Sequence, residues 1–163
     1  MTRRLDILKT IIPALLVIAG ISSCHRRDAV YQYCSLPADG WESSQTLTFP
    51  IDSLPQGGSF RLHVHLRTSS VETYPYRKLW LEVRQHWQHT ATTRTDTLVC
   101  NLTTEEGHPD GQGVSLYQYA FPLDTISLPQ GAKGHISVRH IMRSPLLPGV
   151  SEVGLRLENT APL

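Results

Sequence analysis

Charge is scarce in this chain. Only 18% of its 163 residues are Asp, Glu, Lys or Arg, below the roughly 25% usual for soluble domains. The formal net charge of +1 lacks the basic surplus that draws a protein to nucleic acid. Long apolar runs are also missing. The longest, Ile11 to Ile21, would rise only about 16 Å as a helix, short of a ~30 Å hydrocarbon core. After it there is no convincing amphipathic helix, and eleven prolines and eleven glycines punctuate the chain too often for a long-helix architecture. Catalytic signatures are lacking as well. There is no Gly-x-Ser-x-Gly elbow and no local Cys–His frame. Gly111-Gln112-Gly113 opens no nucleotide-binding helix. Glu105-Glu106 beside Gly107 reads as a solvated turn, not a glycosidase pair. The expectation is a non-enzymatic protein without a cofactor or a small-molecule substrate.

The first residues read as an export signal. Arg3, Arg4 and Lys9 precede the apolar run, which ends on Ile21-Ser22-Ser23-Cys24. An aliphatic residue three before a cysteine, then two small residues, resembles a bacterial lipobox. The Cys24 thiol is the expected lipid-attachment point, alkylated with diacylglycerol before cleavage leaves it as the new N-terminus. Acyl chains contribute about 0.8 kcal/mol per buried methylene, enough together for stable anchoring. The expected organisation is a signal at residues 1–23, a lipidated tether at 24–30 and one domain at 31–163. Removing the signal takes Lys plus Arg from 15 to 12 and Asp plus Glu from 14 to 13. The remaining chain therefore carries −1.

Two cysteines are then left. In an oxidising compartment Cys34 and Cys100 can form a disulfide closing a long loop, worth about 4 kcal/mol in the chain-entropy account. They can equally stay separate, with Cys100 packed as a small hydrophobe.

Period-2 alternation dominates the remainder. Phe60, Leu62, Val64 and Leu66 alternate with Arg61, His63, His65 and Arg67. Leu79, Leu81, Val83 and Trp87 alternate with Glu82, Arg84, His86 and Gln88. Weaker alternation recurs at 47–51, 98–102, 117–121, 136–138 and 153–157, with Gly- and Pro-rich turns between. Seven or eight such strands predict an all-β antiparallel sandwich. A strand near Tyr31 has weaker support. The repeat Ser53-Leu54-Pro55-Gln56-Gly57 and Ser127-Leu128-Pro129-Gln130-Gly131 reads as two turns converging on Pro-x-Gly chemistry in preference to a pair of equivalent loops.

Three histidines invite a metal hypothesis. His63 and His65 share a face, and His86 is expected on a neighbouring strand, but Arg61, Arg67 and Arg84 would repel a cation, so no metal is expected. His140 follows the inward alternation and His135 the outward one. The chain's aromatics, among them Trp41, Trp87, Tyr117 and Tyr119, are numerous enough for a stacking platform. Tyr74, Tyr76 and Trp80 are the candidate contacts for a protein partner or a glycan. Trp80 falls on the polar face of its strand.

Taken in order, Ser22-Ser23-Cys24, Tyr31, Leu36-Pro37, Gly40-Trp41, Tyr74-Pro75-Tyr76, Leu79-Trp80-Leu81, Asp96-Thr97-Leu98, Met142-Arg143 and Gly149-Val150 through Val153-Gly154-Leu155 to Glu158 resemble the gliding-motility lipoprotein GldH family of Bacteroidota. The chain departs from that pattern at Asp110–Tyr119, where it keeps only Gly111 and Gly113 of a Gly-rich stretch. The resemblance implies a non-enzymatic, membrane-anchored envelope lipoprotein. It would serve as an accessory or scaffold component of gliding motility and the associated secretion machinery, with protein partners in the envelope. A glycan- or peptidoglycan-binding module is the alternative. His25-Arg26-Arg27, basic where surface-exposed lipoproteins of that phylum are acidic, implies a domain facing the periplasm.

Overall fold

The computed structural model describes residues 28–69, 74–88 and 93–160. Cys24 and the signal lie outside them. The described residues contain no helix and ten strands: β1 Asp28–Ser35, β2 Trp41–Glu42, β3 Leu47–Ile51, β4 Gly58–Thr68, β5 Lys78–Trp87, β6 Thr93–Asn101, β7 Tyr117–Leu128, β8 Gly134–His140, β9 Leu146–Leu147 and β10 Val150–Asn159. Eight of them form two antiparallel four-stranded sheets, in the orders β1-β10-β4-β7 and β3-β8-β5-β6. The two-residue strands β2 and β9 pair with each other. The expected sandwich is present. β1 starts at Asp28, within the stretch read as tether, and pairs along its length with β10.

The core follows from the pleat, because alternate side chains of each strand point to the same face. Phe60, Leu62, Val64 and Leu66 of β4 and Val153, Leu155 and Leu157 of β10 are buried. On the other sheet, Leu79, Leu81 and Val83 of β5 and Ile136 and Val138 of β8 are buried. The sheets meet at both lateral edges. At one, the Gln32 side-chain amide of β1 donates to the Pro50 carbonyl of β3 (3.1 Å). At the other, Arg94 of β6 pairs with Asp124 of β7, and the Tyr119 hydroxyl donates to the Leu102 carbonyl (3.1 Å).

This layout decides the cysteine question. Both thiols are free, Cys34 half-buried and Cys100 fully buried. Cys34 sits on β1 at one edge, and Cys100 on β6, which lies against β7 at the other. Three inter-strand spacings, about 14 Å, separate those edges, whereas a disulfide needs Cα atoms within about 7 Å. Burial pushes the Cys100 thiol's pKa up, as fits a packed hydrophobe.

The sandwich has two distinct ends. The entry end holds the start of β1, the β3–β4 and β7–β8 turns and the end of β10. There the two Ser-Leu-Pro-Gln-Gly copies meet. Leu54 N–H donates to the Ala132 carbonyl (3.1 Å), and Gly131 N–H donates to the Leu54 carbonyl (2.8 Å). The Gln130 side-chain amide reaches the Pro55 carbonyl (3.1 Å), with Leu54 and Leu128 both buried. They are thus paired loops, not merely turns of similar chemistry. The far end carries the β1–β2, β4–β5, β6–β7 and β8–β10 connections. It is closed by Trp41, whose residue pairs with Leu147.

Candidate functional site

Because Leu79 and Leu81 point inward, Trp80 points outward, and it is 43% exposed. Across the sheet it faces Val99, and its carbonyl accepts a hydrogen bond from Ile141 N–H (2.9 Å). Ile141 is itself exposed. Beside this apolar spot lies a fixed charge group. Arg139 donates to Glu82 through Nε (2.7 Å) and Nη2 (3.2 Å), and Arg84 adds a contact of 2.8 Å. The Arg139 hydrogen bonds hold the Glu82 carboxyl below the usual carboxylate range.

Of the three candidate contacts, Tyr76 and Trp80 are exposed and Tyr74 is buried. The Tyr74 hydroxyl donates to the Lys78 carbonyl (3.1 Å), which draws its ring into the core. Burial raises its pKa. Its ring meets Tyr76 edge-on, with centroids 5.8 Å apart, so Tyr74 supports the exposed ring. Trp41, Trp87 and Tyr119 are likewise core residues, and Tyr117 is half-buried against them, which leaves Tyr76 and Trp80 as the exposed members of the aromatic platform. Leu146, Val114 and Leu116 are also exposed at this far end.

A second cluster, which sequence reading did not assemble, covers the outer face of the other sheet. The register sets Tyr33 beside Gly154, Gly154 beside His65 and His65 beside Ala120. One row along stand Tyr31, Arg156, His63 and Pro122. The Tyr33 ring lies over Gly154, where a Cβ would come within 2.6 Å of it. Tyr31 touches both Tyr33 and His65 edge-on, with centroids 5.4 and 5.6 Å apart. The Arg67 guanidinium sits 4.1 Å from the Tyr33 ring centroid and 2.5 Å from Glu152. Burial, reinforced by the Tyr31 hydroxyl, pushes the Tyr33 phenol up to about 12. Burial lowers His65 to about 4 and lowers His63 as well.

The postulated neighbourhood of His63, His65 and His86 does not form, because β4 and β5 belong to different sheets. His86 instead pairs with His135 of β8, ring centroids 5.0 Å apart. Among the described residues no group of three or more His, Cys, Asp or Glu is placed to hold a metal. His140 is buried as expected, its Nε2–H donating to the Trp41 carbonyl (3.0 Å), and His135 is exposed.

Residues 28–157 match the family described as GldH lipoprotein. The chain belongs to that family. The match spans all ten strands but the last residues of β10, so the sandwich just described is the fold of this GldH-family lipoprotein. Membership makes it an envelope lipoprotein of a non-enzymatic family. No curated protein matches its sequence. Among solved structures, a family 35 carbohydrate-binding module from Clostridium thermocellum is 12% identical, over 80% of this chain and 90% of that one, with a TM-score of 0.42. The Eiger TNF of S. frugiperda is 12% identical, over 85% and 97%, with a TM-score of 0.37. A cycloalternan-forming enzyme from Listeria monocytogenes is 12% identical, over 81% of this chain and 11% of that one, with a TM-score of 0.39.

Proposed function

We propose that this GldH-family protein is a lipid-anchored scaffold that faces the periplasm and binds a protein partner of the gliding-motility or associated secretion machinery at its far end. One observation carries the reading. Of seven exposed large hydrophobic side chains among the described residues, six (Tyr76, Trp80, Val114, Leu116, Ile141 and Leu146) lie at the end opposite the start of β1. Isolated exposed apolar residues are ordinary, but their concentration at one end is a mark of an interaction surface.

Anchoring through Cys24 gives that concentration a direction. Three residues separate Cys24 from Asp28, a reach of at most about 14 Å when fully extended. The entry end, with its paired Ser-Leu-Pro-Gln-Gly loops, would sit close to the bilayer. The far end would stand off by the length of β4, about 35 Å. His25-Arg26-Arg27 favours the periplasmic orientation.

Trp80→Ala tests the reading. The side chain is exposed and contributes little to the core, so the fold should survive while co-purification of the envelope partner falls at least tenfold. That corresponds to about 1.4 kcal/mol, within the range of an interface hot spot. Undiminished co-purification would contradict the proposal. Loss of polysaccharide retention with partner binding intact would assign Trp80 to a glycan instead.

A further inference from the structure

A groove of about 390 Å³ runs beside the second aromatic cluster, between Tyr31 and His65 on one side and the β6–β7 connection on the other. We infer that this groove is a binding site for a neutral oligosaccharide, distinct from the Trp80 face of the other sheet, although its Gln112–Gln118 wall also carries Val114 and Leu116 of the far end.

The groove exists because of small residues. Ala120 forms its floor beside His65, and Gly154 on the other side of His65 lets the Tyr33 ring settle onto the sheet. The far wall is held by backbone pairing. Gln112 and Gln118 exchange N–H···O=C hydrogen bonds, both 2.9 Å, so their side chains project from the same face. That face is the outer one, since Gln118 stands beside the outward-pointing Arg67. The loop that brings Gln112 here is fixed by its glycines. A Cβ on Gly111 would come within 2.7 Å of the Tyr119 ring, and one on Gly113, at φ +140°, would come within 1.9 Å of the Leu116 carbonyl.

The lining selects the ligand class. Carboxamides of Gln112 and Gln118 and the carboxylate of Asp110 supply donors and acceptors. Among the described residues no lysine or arginine lines the groove, and the neighbouring Arg67 and Arg156 are already paired with Glu152 and with Asp28 and Glu158, so an anionic ligand would have to compete for its counter-charge. A single carboxylate is too little to select a cation. His65 is uncharged at neutral pH. Tyr31, 45% exposed and steadied by Tyr33 and His65, offers an apolar ring for the C–H face of a sugar. The volume lies in the ~300–1,000 Å³ range of small-ligand clefts. An added peptide strand is disfavoured. Pro122 gives the β7 edge no N–H there, and a register shift follows between Leu62 and His63.

The test is calorimetric titration of the detergent-solubilised full chain with chitotriose, cellotriose and maltotriose. At least one should bind. Ala120→Phe, which fills the groove from an exposed position, and Tyr31→Ala should each weaken binding tenfold or more, while Trp80→Ala leaves it unchanged. The proposal is overturned if none of the three binds, or if binding persists in both groove variants. It is also overturned if a Thr-Val-Thr-Val-Thr peptide, and no saccharide, binds in a manner that Ala120→Phe abolishes.

Discussion

Trp41→Ala is expected to lower the free energy of unfolding by about 4 kcal/mol, near the middle of the range for a buried tryptophan. Trp41 is fully buried, and its contacts tie together three separate stretches of chain. Its indole N–H donates to the Gln45 carbonyl (3.0 Å), its own carbonyl accepts from His140 Nε2 (3.0 Å), and its ring meets His140 edge-on with centroids 5.3 Å apart. Preceding it, Gly40 adopts φ +133°, where a Cβ would come within 2.8 Å of the Leu147 carbonyl. The turn into β2 is therefore built to seat the indole against β9. Alanine removes the ring and the Gln45 bond together and leaves a cavity beside the His140 imidazole. Trp41→Phe should recover roughly half of the loss, because part of the volume returns without the donor. Urea denaturation of both variants measures the effect. A loss below about 1 kcal/mol for alanine would show that the far end is not part of the cooperative core.

Acidification should destabilise the domain well before its carboxylates titrate. Burial lowers the pKa values of His63, His65 and His140 in the folded chain, His65 to about 4. In the unfolded chain an imidazole titrates near 6.5. As the pH falls through 6.5 the unfolded state therefore binds protons that the folded state does not, and stability falls. Above 6.5 both states are neutral and this contribution is constant. Below about 4 His65 is protonated in both states and its loss is complete. For His65 alone the expected decrease between about pH 7.5 and about pH 4.5 is about 2 kcal/mol, after discounting for its partial exposure. Glu82, whose carboxyl is held low by Arg139, adds its own loss only at more acidic pH. His65→Phe should flatten much of this dependence. A wild-type urea midpoint that stays constant over the same interval would contradict the burial assigned to these rings.

The strands that were legible in the sequence are those that lend one whole face to the core. β4 and β5 alternate cleanly because each is flanked on both sides within its sheet, so every second side chain is buried. The outward direction of Trp80 followed from the same period. β1 was faint for the converse reason. It is an edge strand whose residues are mostly only half-buried, and the apolar bodies of Tyr31 and Tyr33 lie on the outer face. Tyr74 precedes β5 and belongs to no alternation, so nothing in its neighbourhood in sequence announced that its hydroxyl would turn inward to Lys78. The cross-strand neighbours of His65, namely Gly154 and Ala120, are distant in the chain, and only strand order brings them together. Strand order also separates His86 from His63 and Cys34 from Cys100.

The central claim is that the far end of an anchored domain meets a protein partner. Site-specific photocrosslinking in living cells tests it most directly, with the crosslinking amino acid at position 80 in one strain and at position 130 in another. Gln130 lies in the paired loops of the entry end, so it serves as the membrane-side control. Position 80 should give a discrete protein adduct, and position 130 none of that identity. An adduct confined to position 130, or no protein adduct from position 80, would contradict it.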